Sequence, residues 1–269
     1  MMRPIPRRRL LAPGPNLSVR MMLMLDWATS LGRVSKRSDE SAAVLLQMAA
    51  AARAEGLLLI SGRSLLSLAS AHTARGKLTE AIPCGTQALE AFREVGDRPY
   101  QGAVLHILGV SHALLGQRRK ALVQLEEALE LDADQEMSYH VGNSLMAVGL
   151  IESSLAHDAA TLDYFRRALA AFQDVDFDLG RVTVEVNVAR HHCQWGRLSE
   201  AGEALDRADT LAQAIGSKFA QGRVGVSRAE LRVAVGELAP AAADLSALMA
   251  DAKAVGDLQA HQFASIELA

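Results

Sequence analysis

Shifted by 40 residues, the sequence falls on itself, and a tandem repeat of that length restricts the chain to a stacked array. Gly62, Gly102, Gly142 and Gly222 stand at multiples of 40, with Val182 in the remaining slot. Seven residues on come Ala69, Gly109, Gly149, Ala189 and Ala229, all small. Then follow His72, His112, Glu152, His192 and Arg232, and after them Gly76, Gly116, Ala156, Gly196 and Gly236. Two further columns hold Ala81, Ala121, Thr161, Ala201, Ala241 and Ala88, Ala128, Ala168, Ala208, Leu248.

The columns read as helices. From Leu105 to Gly116, apolar and small residues recur at helical spacing: Leu105, Leu108, Gly109, His112, Leu115. The glycine at 76, 116, 196 and 236 ends that helix as a left-handed residue just past it. Polar residues such as Gln117 to Lys120 follow, then a second helix with Ala121, Leu122, Leu125, Ala128 and Leu129 inward. Small residues at 109, 121 and 128 let the two helices approach closely. Each unit is a hairpin that buries its faces only by stacking on neighbours.

The pattern resembles the tetratricopeptide repeat. Gly109, Gly116, Ala121 and Ala128 match that family's small residue in helix A, its turn glycine and its two helix-B alanines. The family's usual repeat is about 34 residues, so the helices or the inter-unit loop here are longer. Mid-helix A carries mostly His where the family has an aromatic. The long form is similar to arrays in kinesin light chains and in bacterial signalling proteins. Ala214-Ile215-Gly216-Ser217 and Ala254-Val255-Gly256-Asp257 look like the bacterial subtype. The resemblance implies an all-α, right-handed α-solenoid over residues 22–269. Its units are about 22–61, 62–101, 102–141, 142–181, 182–221 and 222–261, with a partial 262–269. It also implies a peptide-binding groove lined by helix A. The matching positions are Arg63, Leu66 and Ser70; His106, Val110 and Leu114; Asn143, Met146 and Leu150; Val186, Arg190 and Gln194; Arg223, Val226 and Glu230. Some of the apolar ones equally suit packing between layers. The paired Lys and Asn with which some relatives clamp a terminal carboxylate are missing. A groove with an apolar centre and flanking Arg suits a short amphipathic or acidic peptide, or an intramolecular helix.

Composition narrows the function classes. The chain is 50% hydrophobic and 22% charged, too apolar for disorder. With no apolar run near 18 residues it has no expected transmembrane helix. Its net charge of −3 disfavours nucleic acid. Cys84 and Cys193 lie far apart, without the spacing of a disulfide framework or zinc ribbon, and suit a reducing cytoplasm. Residues 1–21 hold Arg3, Arg7, Arg8, Arg9 and Arg20 among four prolines and read as a disordered basic tail. The first unit is degenerate, with Lys36 in the turn-glycine slot, as suits a cap. Gln262 starts a further unit that stops at Ala269. An apolar array end is costly to expose, so an effector domain after Ala269 or a homodimer through Ile266 and Leu268 is expected.

Two clusters look chemical and read as structural. Asp174, Asp176, Asp178 and Glu185 have calcium-loop spacing, but Leu179 holds the position that needs glycine, with Gly180 one late. His191, His192 and Cys193 are adjacent, so on a helix they point about 100° apart and do not converge on one ion. No catalytic motif is present. The sequence therefore predicts no enzyme, cofactor or metal. It predicts a cytoplasmic protein- or peptide-binding module, the regulatory part of a bacterial signalling protein, in which groove occupancy changes curvature. A self-associating scaffold is the alternative, and a small-molecule sensor ranks below it.

Overall fold

The computed structural model describes residues 17–32, 38–132 and 138–255, in which every regular element is an α-helix. The helices are α1 (Leu17–Gly32), α2 (Ser38–Ala54), α3 (Leu58–Ala74), α4 (Leu78–Val95), α5 (Arg98–Leu114) and α6 (Arg118–Asp132). They continue as α7 (Ser138–Ser154), α8 (Asp158–Gln173), α9 (Asp178–Gln194), α10 (Leu198–Ala214), α11 (Lys218–Ala234) and α12 (Leu238–Val255). Odd-numbered helices are helix A of a hairpin and even-numbered ones helix B. The chain divides into two compact units, Met1–His140 and Val141–Ala269. The expected partial repeat from Gln262 lies outside the described residues. Residues 17–21, read from sequence as tail, open α1, where Met21 is fully buried.

The extra repeat length lies in the helices. α3 starts at Leu58 and α5 at Arg98, and only Arg75–Lys77 and Gly96–Asp97 lie outside the two helices between those starts. The described links from helix A to helix B in the later hairpins are closed the same way. The amide of Gln117 donates to His112 O at 2.9 Å, and that of Gly116 to Ala113 O at 2.9 Å. This double bond is the Schellman closure, which needs a left-handed residue after the helix. Gly116 supplies it with φ 74°. A second left-handed column ends the B helices at Gly56, Gly96, Asp176 and Gly216.

Ala156 occupies the turn column with φ 60°. A Cβ is disfavoured there. Ala156→Gly is therefore expected to stabilise the protein by about 1 kcal/mol, read as a higher urea midpoint. Gly116→Ala should lower it by a similar amount.

Within the first unit, Met21, Leu25, Val44, Leu45, Met48 and Ile60 form one core under α1–α3. Leu65, Leu89, Phe92, Val104, Leu105 and Leu108 form the next, under α3–α5. In the second unit Val226, Ala229, Ala241 and Leu245 pack α11 on α12. The glycine column at the unit starts is steric. A Cβ on Gly62 would lie 2.9 Å from the Phe92 ring, and one on Gly142 2.6 Å from the Phe172 ring. The aromatic sits thirty residues after the glycine in both hairpins. Val182 breaks the column, and thirty residues after it stands Ala212, with both side chains buried.

Candidate functional site

The A helices meet their successors through bonds between residues about one period apart. In the first unit, Thr73 and Ser111 hydroxyls bond at 2.8 Å, joining α3 to α5. In the second, the same two columns hold Ser153 and His191, whose Oγ and Nδ1 lie 2.8 Å apart. Arg190 grips Glu230 with two bonds of 2.9 and 2.7 Å, and Arg223 donates to Thr183 Oγ1 at 3.2 Å. These hold α9 against α11.

The groove residues fall into groups. In the first unit, Arg63 and Leu66 wall a cleft of about 170 Å³ with Leu25, Asp26, Thr29 and Tyr100, drawn from α1, α3 and α5. The Arg63 guanidinium lies 5.9 Å from the Tyr100 ring centre. Ser70, further along α3, is exposed. His106 and Val110 on α5 are half-buried, and Leu114 at its end is 61% exposed. In the second unit, Asn143 and Met146 on α7 are half-buried, and Leu150 is 45% exposed.

Val186, Arg190, Arg223 and Val226 line a cavity of about 50 Å³ between α9 and α11. Arg190, Gln194 and Glu230 line a shallower cleft of about 380 Å³. The two share Arg190 and Ser227 as walls. Val186 and Val226 are buried, so their weight is in the packing between layers. Burial and the neighbouring Arg190 push the Arg223 guanidinium down from the ordinary arginine range.

Burial pushes the His106 imidazole down to about 4, helped by His140 on α7. The unfolded value is about 6.5. The native pKa is depressed, so above pH 6.5 both states are neutral and stability is full. As pH falls from about 6.5 to about 4, the unfolded chain binds a proton that the native state refuses, and stability declines. Part of the side chain still meets solvent, which trims the loss to about 2 kcal/mol. Urea midpoints at pH 7 and 4.5 should therefore differ more for the wild type than for His106→Gln. His72, His140 and His192 are lowered mainly by burial as well and act in the same direction.

Sequence reasoning missed one constellation. His191 is 1% exposed, and its Nε2 lies 2.8 Å from Asp158 Oδ1. Asp158 also accepts from Arg197, and these two bonds hold its carboxyl below the usual range, Arg197 contributing most. Ser153, His191 and Asp158 thus stand in the order of nucleophile, base and orienting acid. Acyl transfer also needs N–H groups aimed at a developing oxyanion. Here Ser153 sits in the last turn of α7. The amides of Leu155, Ala156 and His157 all donate back to carbonyls of that turn. Those three amides are thus already occupied, and the network ties the α7–α8 corner to α9. Its signal in the sequence was the column register: Ser153 and His191 occupy the slots of Thr73 and Ser111.

Two of the four carboxylates with calcium-loop spacing are paired within the fold. Glu185 is 6% exposed inside α9 and takes two bonds of 2.9 Å from Arg207. Asp178 accepts from Arg181 at 2.8 Å. His112, in the column where the family has an aromatic, bonds the link residue Gln117 at 2.8 Å. Burial raises both cysteine thiols above their ordinary range, which disfavours the reactive thiolate.

Comparison with known proteins bears on the fold. The tetratricopeptide repeat model matches residues 61–134. No curated protein matches the sequence. Among solved structures, a Rap protein complexed with competence and sporulation factor superposes with a TM-score of 0.69 at 16% identity. That likeness covers 97% of this chain and 82% of the other. Aspartyl phosphate phosphatase F from Bacillus subtilis gives 0.65 at 15%, covering 92% and 66%. A putative kinesin light chain from Podospora anserina gives 0.54 at 18%, covering 72% and 96%. The fold is an all-α array of stacked helical hairpins. Residues 61–134 match the tetratricopeptide repeat, and the described helices share the fold of these solved structures.

Proposed function

We propose that this chain is a non-catalytic binding module whose A helices take a protein or peptide partner. The observation that carries the reading is convergence. The six groove positions read from α9 and α11 line two adjoining cavities, and Arg63 and Leu66 line a cleft between A helices of the first unit. Leu114 and Leu150 add exposed apolar surface at the ends of α5 and α7. Exposed apolar side chains beside a few fixed polar groups suit an amphipathic peptide. The Rap structure with the same fold was solved with competence and sporulation factor bound. By that likeness the chain acts as the regulatory part of a bacterial cytoplasmic signalling protein. Among the described residues no helix is long and apolar enough to cross a membrane.

Selection of displayed random peptides on the immobilised protein tests the reading. Selected peptides should lose affinity about tenfold or more with Leu114→Glu or Leu150→Glu, each an anchor truncated and charged. Val123→Glu, on an exposed position of α6, should leave binding unchanged. Equal loss from all three, or no selectable peptide, would refute it.

A further inference from the structure

The cavity between α9 and α11 holds a buried hydroxyl without a hydrogen-bond partner and a guanidinium without a carboxylate partner among the described residues. Ser227 is 3% exposed, lines both the cavity and the adjoining cleft, and its Oγ has no hydrogen-bond partner among the described residues. Other buried helix-A serines do not behave this way. Ser64 bonds Ile60 O and Ser111 bonds Ile107 O, each at 2.8 Å. A buried hydroxyl left without a partner is costly and calls for a ligand or water. One helical turn earlier, on the same face, stands Arg223. Among the described residues its one hydrogen-bond partner is the neutral Thr183 hydroxyl, and its guanidinium lies 6.0 Å from the Phe219 ring centre. Its neighbour Arg190 is already neutralised by Glu230. The remaining walls, Phe219, Val226 and Leu248, are apolar.

We infer that this cavity is a carboxylate-binding site, in which Arg223 and the Ser227 hydroxyl donate to one carboxylate joined to an apolar group. A single unpaired guanidinium matches a single negative charge. Arg190 and Glu230 offset each other, so the site offers one net positive charge, which suits a singly charged carboxylate better than a doubly charged phosphate. About 50 Å³ suits a compact anionic group, and the larger cleft beside it leaves room for the chain that bears it. The ligand's being a peptide rests on the binding reading above. The carboxylate chemistry rests on Arg223 and Ser227 alone.

The test follows the backbone amide resonances of α11 and the Arg223 Nε–Hε resonance of the intact chain, titrated with four probes. N-acetyl-leucine offers a chain terminus, and N-acetylglutamic acid α-amide a side-chain carboxylate. N-acetyl-leucinamide is the neutral control, and inorganic phosphate the competing anion. Saturable shifts from either carboxylate, with little from the amide or phosphate, are expected, and the stronger of the two names the source. Arg223→Gln should weaken binding about tenfold or more, and Ser227→Ala, which deletes only the hydroxyl, about fivefold. Equal shifts from the amide, tighter binding of phosphate, no saturation, or unchanged binding to Ser227→Ala would each overturn the assignment. Selected peptides that bind the A helices while no carboxylate moves Arg223 would sink this site and leave the binding reading standing. Carboxylate binding without selectable peptides would do the reverse.

Discussion

Gly142→Val should destabilise the protein by about 3 kcal/mol, a large overpacking cost. The new Cβ would start 2.6 Å from the Phe172 ring, and Phe172 is fully buried. Helix propensity favours the change, because Val is the better helix former. That gain is only a few tenths of a kcal/mol and does not decide the sign. Phe172→Ala alone should cost about 3–5 kcal/mol through the cavity it leaves. The double variant should cost at least about 2 kcal/mol less than the sum of the two, because each change relieves the other. The reason for expecting relief is already in the chain: Val182 and Ala212 occupy the same pair of columns with the sizes exchanged. Chemical denaturation of the four proteins measures the coupling. Strict additivity would show that the column is not a matched steric pair.

The second large effect is electrostatic. Arg207→Met should cost about 3 kcal/mol, because it strips both hydrogen bonds from Glu185 and leaves a buried carboxylate alone. The figure sits at the low end because Arg207 itself is half-exposed. The cost comes from the stranded charge and not from the net worth of the pair. Glu185→Met with Arg207→Met should therefore recover most of the loss. Denaturant midpoints of the two single variants and the double decide it. A double variant no better than Arg207→Met would locate the cost in lost packing of the arginine stem.

The hairpin architecture was legible because stacking forces each unit to repeat its small residues, and small residues survive as columns. Gly76, Gly116, Gly196 and Gly236 gave the turns for a backbone reason, since φ near 70° excludes most side chains. The second set of turns was hidden. Asp176 holds one of its slots and reads as part of an acidic loop, although its φ of 51° places it with Gly96 and Gly216. The helix-A positions expected to line a groove were legible in their spacing but not in their surroundings. Spacing placed Arg190 and Glu230 on facing helices, one period apart, without revealing that they neutralise each other. It placed Val186 and Val226 on the same face without revealing their burial. The Ser153, His191 and Asp158 network was illegible because its members come from three helices. Only the register to Thr73 and Ser111 links two of them, and those residues share a bond but not a chemistry.

The central claim is that helix A, and not helix B, carries the working surface. A photoactivatable benzoylphenylalanine placed singly at Ser70, Leu114 or Leu150 tests it, with Leu46 on α2 and Val123 on α6 as exposed helix-B controls. Irradiation with a selected peptide should cross-link it from at least one helix-A position and from neither control. Cross-links confined to Leu46 and Val123, or equal at all five positions, would contradict the account.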